Sequence, residues 1–166
     1  MNGNARADRV IIRSAVDADL PQLQGVFRAA ALSNIGDAPA LLAHPEYLVF
    51  TGDGIAEGRT RVAIEAVGGR DQLVGFATLA RGPDGQPELE DLFVDPACRR
   101  RGIARRLVHD VASLARRAGH RTITVTGNPH ALAFYLAAGF VVIGHAETEL
   151  GSGPRLRLDL TDQHRP

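Results

Sequence analysis

The sequence predicts a mixed α/β fold, and three observations carry that reading. Short β-branched or alternating runs recur along the chain and read as strands. Apolar residues at helical spacing lie between some of them. Glycine- and proline-rich turns join the middle strands as hairpins, whereas a helix separates two later strands, as a crossover requires.

Each element follows in order. Val10, Ile11 and Ile12 form a first β-branched strand. Asp17 or Asp19 can cap a helix carrying Leu20, Leu23, Val26 and Phe27 on one face. Residues 33–58 are irregular, with Gly36, Pro39, Pro45, Gly52 and Gly54, and read as a long functional loop holding one or two short helices. Residues 60–67 alternate Val62, Ile64 and Ala66, turn at Gly68-Gly69-Arg70-Asp71, and pair with a strand over 73–80. A second turn, Gly82-Pro83-Asp84-Gly85, leads to a strand over 88–94 that ends at Asp95-Pro96, since proline cannot continue a central ladder. Ile103, Leu107, Val111, Leu114 and Ala118 mark one buried helix face, closed by Gly119. A β-branched strand over 121–126 follows, then a helix opened by Pro129 and ended by Gly139. Strands over 140–143 and 155–160 flank a turn at residues 151–153.

Composition narrows the classes. The chain has 166 residues, enough for one domain with a real core. Residues 1–8 read as a flexible polar tail and 9–162 as a single domain. Nineteen basic residues, all Arg, balance nineteen Asp plus Glu, so no global field recruits nucleic acid or an acidic membrane. One cysteine, Cys98, excludes a disulfide framework, and six scattered His offer no metal-ligand spacing. No apolar run is long enough to span a bilayer, and the expectation is a cytoplasmic protein.

The informative stretch is DPACRRRGIARRLV, residues 95–108. Strand, short loop, glycine and helix together expose backbone N–H groups at a positively polarised helix end, which suits a phosphate. Gly102 permits close approach, and Arg99, Arg100 and Arg101 add charge and forked donors around one multiply charged anion. A pyrophosphate is the expected partner. The glycine spacing fits neither the dinucleotide fingerprint nor the phosphate-binding loop of nucleotide hydrolases.

Arg99-Arg100-Arg101-Gly102-Ile103-Ala104, preceded by LFVDP, resembles motif A of the GNAT superfamily of acetyl-coenzyme A-dependent N-acyltransferases. NPHALAFYLAAGF, residues 128–140, resembles that family's motif B. The resemblance implies a mixed, mostly antiparallel sheet of six or seven strands, helices on both faces, and a splay between strands four and five. It implies acetyl-CoA as cosubstrate, with backbone groups of Leu92, Phe93 and Val94 on the pantetheine arm. Backbone N–H groups from Arg100 to Ala104 would hold the pyrophosphate, and Asn128 would touch the pantetheine. The Tyr135 hydroxyl would sit near the sulfur and protonate the leaving thiolate, while Leu132, Leu136 and Phe140 supply the packing stripe of that helix.

An amine nucleophile also needs a base. Glu88 and Glu90 share one strand face. Glu88 resembles the family position of the base, counted back from Gly102, and Glu90 lies closer to the splay; each is equally readable as a surface carboxylate or an arginine partner. The expectation is direct acetyl transfer to a primary amine of a small molecule or peptide, with no metal, no nucleic acid and no membrane, and with a homodimer allowed. Two other classes compete. One is a coenzyme-binding sensor without catalysis. The other is a nucleic-acid binder using the arginine triplet, disfavoured because no aromatic residues interleave it.

Overall fold

In the computed structural model, residues 10–161 are described; the expected tail, residues 1–8, lies outside them. The strands are β1 (Val10–Ser14), β2 (Thr60–Val67), β3 (Arg70–Arg81), β4 (Pro87–Val94), β5 (Thr122–Thr126), β6 (Val141–Thr148) and β7 (Gly151–Asp159). They form one seven-stranded sheet in the order β1-β2-β3-β4-β5-β7-β6. The β1–β2, β2–β3, β5–β7 and β6–β7 steps are antiparallel. The β4–β5 step is parallel, because helix α3 (Ile103–Arg117) returns the chain between them. The other helices are α1 (Leu20–Leu32), α2 (Ala38–Ala43) and α4 (Leu132–Ala137). No helix among the described residues is long and apolar enough to cross a membrane.

The chain divides into two compact units. The first holds the described residues up to Thr78 together with Asp91–Leu107. Its β2–β3 hairpin turns on Gly68 and Gly69, both at positive φ (57° and 78°), as a tight hairpin turn demands. Leu23 and Val26 from α1 pack with Val62, Ile64, Leu73 and Phe76 from the hairpin, and Phe27, Phe50 and Phe93 close around them. Gln24 fastens the long loop to α1: its amide donates to Leu48 O at 2.6 Å and accepts from Phe50 N at 2.8 Å. Within that loop lie α2 and a 3-10 turn over Pro45–Leu48, the two short helical pieces expected there. At the foot of α1, buried Asp19 accepts from Arg13 at 2.7 and 3.0 Å and from Val16 N at 2.9 Å. The Arg13 hydrogen bonds hold its carboxyl below the ordinary aspartate range.

The second unit holds Leu79–Glu90 and the described residues from Val108 on. Its β6–β7 hairpin is longer than the alternation implied, since Gly144 to Thr148 pair with Gly151 to Arg155 although they lack β-branched runs. The turn therefore falls at residues 149–150, where Leu150 N donates to Thr148 Oγ1, and that hydroxyl donates to Gly151 O at 2.6 Å. The buried stripe of α3 also differs in detail from the expected one. It runs Ile103, Leu107, Val108, Val111, Ala112 and Ala115, with Leu114 only half-buried and Ala118 exposed beyond the helix end. Ala112 and Ala115 complete that face in place of Leu114 and Ala118.

Candidate functional site

In the first unit, β4 runs into the arginine loop. Leu92, Phe93 and Val94 form its half-buried last residues. The β4–β5 ladder is registered at the single pair Glu88↔Thr124, so among the described residues these three carry no β5 partner. Gly75 on β3 has no β-carbon because one would lie 3.0 Å from Phe93 O, so the strands stay close there. Asp95 then ends the strand: its N–H donates to Val74 O at 2.8 Å, and its Oδ1 accepts from Ala97 N at 2.9 Å.

The arginine triplet divides into three fates. Arg99 donates through Nη2 to Ser33 Oγ on the segment after α1. Arg101 forms a fork on Glu65 of β2, at 2.6 and 3.1 Å, and Glu65 is buried. Arg100 is exposed and stands at φ 61°, the only non-glycine residue at positive φ among those described. A left-handed conformation costs a residue with a β-carbon about 1–2 kcal/mol. Gly102 follows at φ 75°, with open space around its missing β-carbon. The expectation that three guanidiniums gather round one anion therefore meets a different arrangement, in which Arg99 and Arg101 tie the loop down.

The same backbone path leaves donors unused. From Arg100 to Ala104 no backbone N–H meets an acceptor among the described residues, whereas Arg106 N donates to Gly102 O at 3.0 Å. These groups sit at the positive end of a fifteen-residue helix. Cys98, just before the triplet, is buried, and desolvation pushes its thiol above the ordinary range, which makes it a packing group rather than a nucleophile.

In the second unit, Asn128 accepts from His130 N at 2.8 Å and caps a 3-10 turn, Pro129–Ala131, that leads into α4. The expected single helix from Pro129 is thus a turn followed by a short helix. Its packing also reverses one expectation: Tyr135 is buried, at 7% exposure, while Leu136 is 49% exposed. The Tyr135 ring meets Phe134 and Phe140 edge-on, each at 5.3 Å. Gly127 makes room for it, since a β-carbon there would lie 3.1 Å from the ring. Desolvation pushes the phenol up to about 12, so it stays protonated at neutral pH. No buried side-chain N or O among the described residues lacks a partner, and the Tyr135 hydroxyl has none from the protein, so it keeps access to solvent.

Glu88 and Glu90 lie on one face of β4, with Leu89 buried on the other. Glu88 Oε1 accepts from Arg155 Nη1 at 2.9 Å, and the same nitrogen donates to Thr126 Oγ1 at 3.0 Å. Glu90 is exposed and has no partner among the described residues. Sequence reasoning missed Glu65 and Arg155. For Arg155 a signal existed, because it begins an Arg-Leu-Arg-Leu alternation that puts its guanidinium on the open face of β7. No group of three or more His, Cys, Asp or Glu among the described residues is placed to hold a metal ion.

A mixed sheet with one parallel step, followed by a helix whose first N–H groups are free, defines an α/β protein with donors of the kind that bind anions. The acetyltransferase (GNAT) family profile matches residues 35–140, and the chain belongs to that family. N-alpha-acetyltransferase RimI of Mycobacterium tuberculosis (strain ATCC 25618 / H37Rv) is 39% identical over 75 residues, which are 43% of this chain. The match spans about half, 48%, of that relative's own length. Two solved structures share the fold. PaiA N-acetyltransferase from Thermoplasma acidophilum, in complex with coenzyme A, has a TM-score of 0.66 at 18% identity, covering 90% of this chain and 98% of its own. The yncA protein of Salmonella typhimurium, with its cofactor acetyl-CoA, has a TM-score of 0.68 at 18% identity, covering 95% and 97%.

Proposed function

We propose that residues 9–162 form one acetyltransferase domain that moves the acetyl group of acetyl-CoA directly to a primary amine. The observation that carries this reading is the run of unused backbone donors from Arg100 to Ala104 at the start of α3, with Gly102 open beside them. Family membership supports it, as do the coenzyme complexes of the two structural relatives. When bound, acetyl-CoA supplies an acetyl group activated as a thioester.

The chain's own groups then divide the work. Backbone N–H groups of Arg100, Arg101, Gly102, Ile103 and Ala104 hold the pyrophosphate, and exposed Arg100 adds charge beside it. Arg99 and Arg101 fix the loop that presents those donors. The unladdered edge of Leu92, Phe93 and Val94 takes the pantetheine amides, and Asn128 meets the same arm through its side-chain amide nitrogen. Glu88, or Glu90 in its place, removes a proton from the acceptor ammonium directly or through water. The amine nitrogen bonds to the carbonyl carbon, the carbon–sulfur bond breaks, the Tyr135 hydroxyl gives its proton to the departing thiolate, and the second proton of the acylated nitrogen returns through water to the phenolate. The phenol is protonated at neutral pH and so carries the proton that the thiolate needs.

Release of free thiol from acetyl-CoA with a panel of amines tests the reading. Tyr135→Phe should lower turnover by roughly 10²–10⁴-fold with coenzyme affinity retained. Glu88→Gln should depress the rate most at low pH, where more acceptor is protonated, and Glu90→Gln decides between the two carboxylates. Coenzyme binding without thiol release would replace catalysis with the sensor reading. Absence of coenzyme binding would remove both.

A further inference from the structure

Within the second unit, the face of β4, β5 and β7 that carries Glu88, Thr126 and Arg155 is half-buried at those three residues, with Thr124 on it buried. On β7, Leu156, Leu158 and Leu160 beyond it are buried, while Arg155 is half-buried and Arg157 exposed. On β5, Ile123 and Val125 are buried, with Thr126 half-buried on the other side. The register pairs Thr126 with Arg155 and Thr124 with Arg157, and Glu88 with Thr124 across the parallel step. Glu88, Thr126 and Arg155 thus meet on this partly exposed face.

Their bonding is half-used. Both contacts of Arg155 run through Nη1, so Nη2 and Nε have no acceptor among the described residues. Glu88 spends Oε1 on that pair, and Oε2 has no donor. Gly82 keeps the Oε2 side clear, since a β-carbon there would stand 3.1 Å from this oxygen. The side chains remain 28% and 22% exposed, and ion pairs of this kind add little to folding. A free fork of guanidinium donors beside a free carboxylate oxygen matches a ligand carrying both charges. Its carboxylate would take Nη2 and Nε, and its ammonium would take Oε2. A simple alkylamine satisfies only half of this pair, and a polycation meets Arg155 and, two register pairs along, Arg157.

We propose that Arg155 and Glu88 select an acceptor with a carboxylate next to its amine, an α-amino acid, with Arg155 as the specificity-determining residue. This rests on the acetyltransferase reading and names its substrate class.

The experiment compares the L-amino acids with their carboxamides as acceptors, by thiol release, and follows binding of both sets by calorimetry without coenzyme. The best amino acid should exceed its amide in kcat/KM by about 10–100-fold, the usual worth of a charge-assisted fork. Arg155→Gln should cut the acid-over-amide preference in kcat/KM by that factor, whatever it does through Glu88 to the rate common to both acceptors. Arg155→Lys should restore part of the preference, and Arg157→Gln should leave it intact. Unfolding midpoints check that each variant folds. Equal use of acids and amides by the wild type overturns the proposal, as does an Arg155→Gln variant that slows both alike. A protein that binds coenzyme A yet neither binds nor acetylates amino acids refutes this inference and leaves the coenzyme reading standing. Failure of coenzyme binding sinks the acetyltransferase reading, while the calorimetric arm still judges Arg155.

Discussion

Gly102 and Gly119 bracket α3, and together they separate backbone strain from anion binding. Both stand at positive φ, 75° and 89°, and a β-carbon at either would meet nothing within 4 Å. Alanine at either site therefore costs conformational strain alone, about 1–2 kcal/mol. In a chain of this size each kcal/mol lowers the melting midpoint by about 2–4 °C. Gly102→Ala and Gly119→Ala should thus lose stability alike. Their ligand effects should differ, because Gly102 lies among the free donors and Gly119 is at the far end of a helix about 22 Å long. Displacing one charge-assisted donor from a pyrophosphate costs about 1.5–3 kcal/mol, or roughly 10–150-fold in affinity. Titration calorimetry with coenzyme A measures this, and thermal unfolding measures the strain. If Gly119→Ala weakens coenzyme binding as much as Gly102→Ala, or if neither does, the phosphate cradle is wrong.

Two further predictions concern stability. Arg101→Met removes the fork on the buried Glu65 carboxylate and should lower stability in denaturant unfolding; the double variant with Glu65→Met should recover part of that loss, and a double variant no better than the single would refute the ion-pair argument. Asp19 has a folded pKa held below its ordinary value, chiefly by the Arg13 hydrogen bonds, so its contribution is full above the unfolded value of about 3.9 and fades as pH falls through the folded one. Asp19→Asn should therefore lose most against the wild type near neutrality, with the gap closing in acid; a gap constant over about pH 2–6 would count against the linkage.

The succession of strands and helices and the crossover were legible because β-branched runs and glycine turns report local backbone preference directly. The long loop, too, read correctly as an irregular segment with short helical pieces. What the sequence hid depends on distant partners. Nothing near Arg101 announces Glu65, which lies 36 residues earlier and pairs only once β2 is in place. Likewise the burial of Tyr135 rather than Leu136 depends on a distant neighbour, Gly127, where a β-carbon would stand 3.1 Å from the phenol ring. Helical spacing alone cannot choose between two neighbouring apolar residues when the helix has six residues.

The tethering of the arginine loop has a thermodynamic consequence. Arg99 on Ser33 and Arg101 on Glu65 hold both sides of Arg100 before any ligand arrives. Fixing a backbone residue costs roughly 1–2 kcal/mol in entropy, and here folding has already met that cost for the donors. Coenzyme association should accordingly carry a small ordering penalty at the phosphate end, with its heat coming from bonds formed rather than from a loop being organised. Cutting either tether would return that penalty to the binding step, so affinity would fall through entropy even though every donor to the anion remained in the chain.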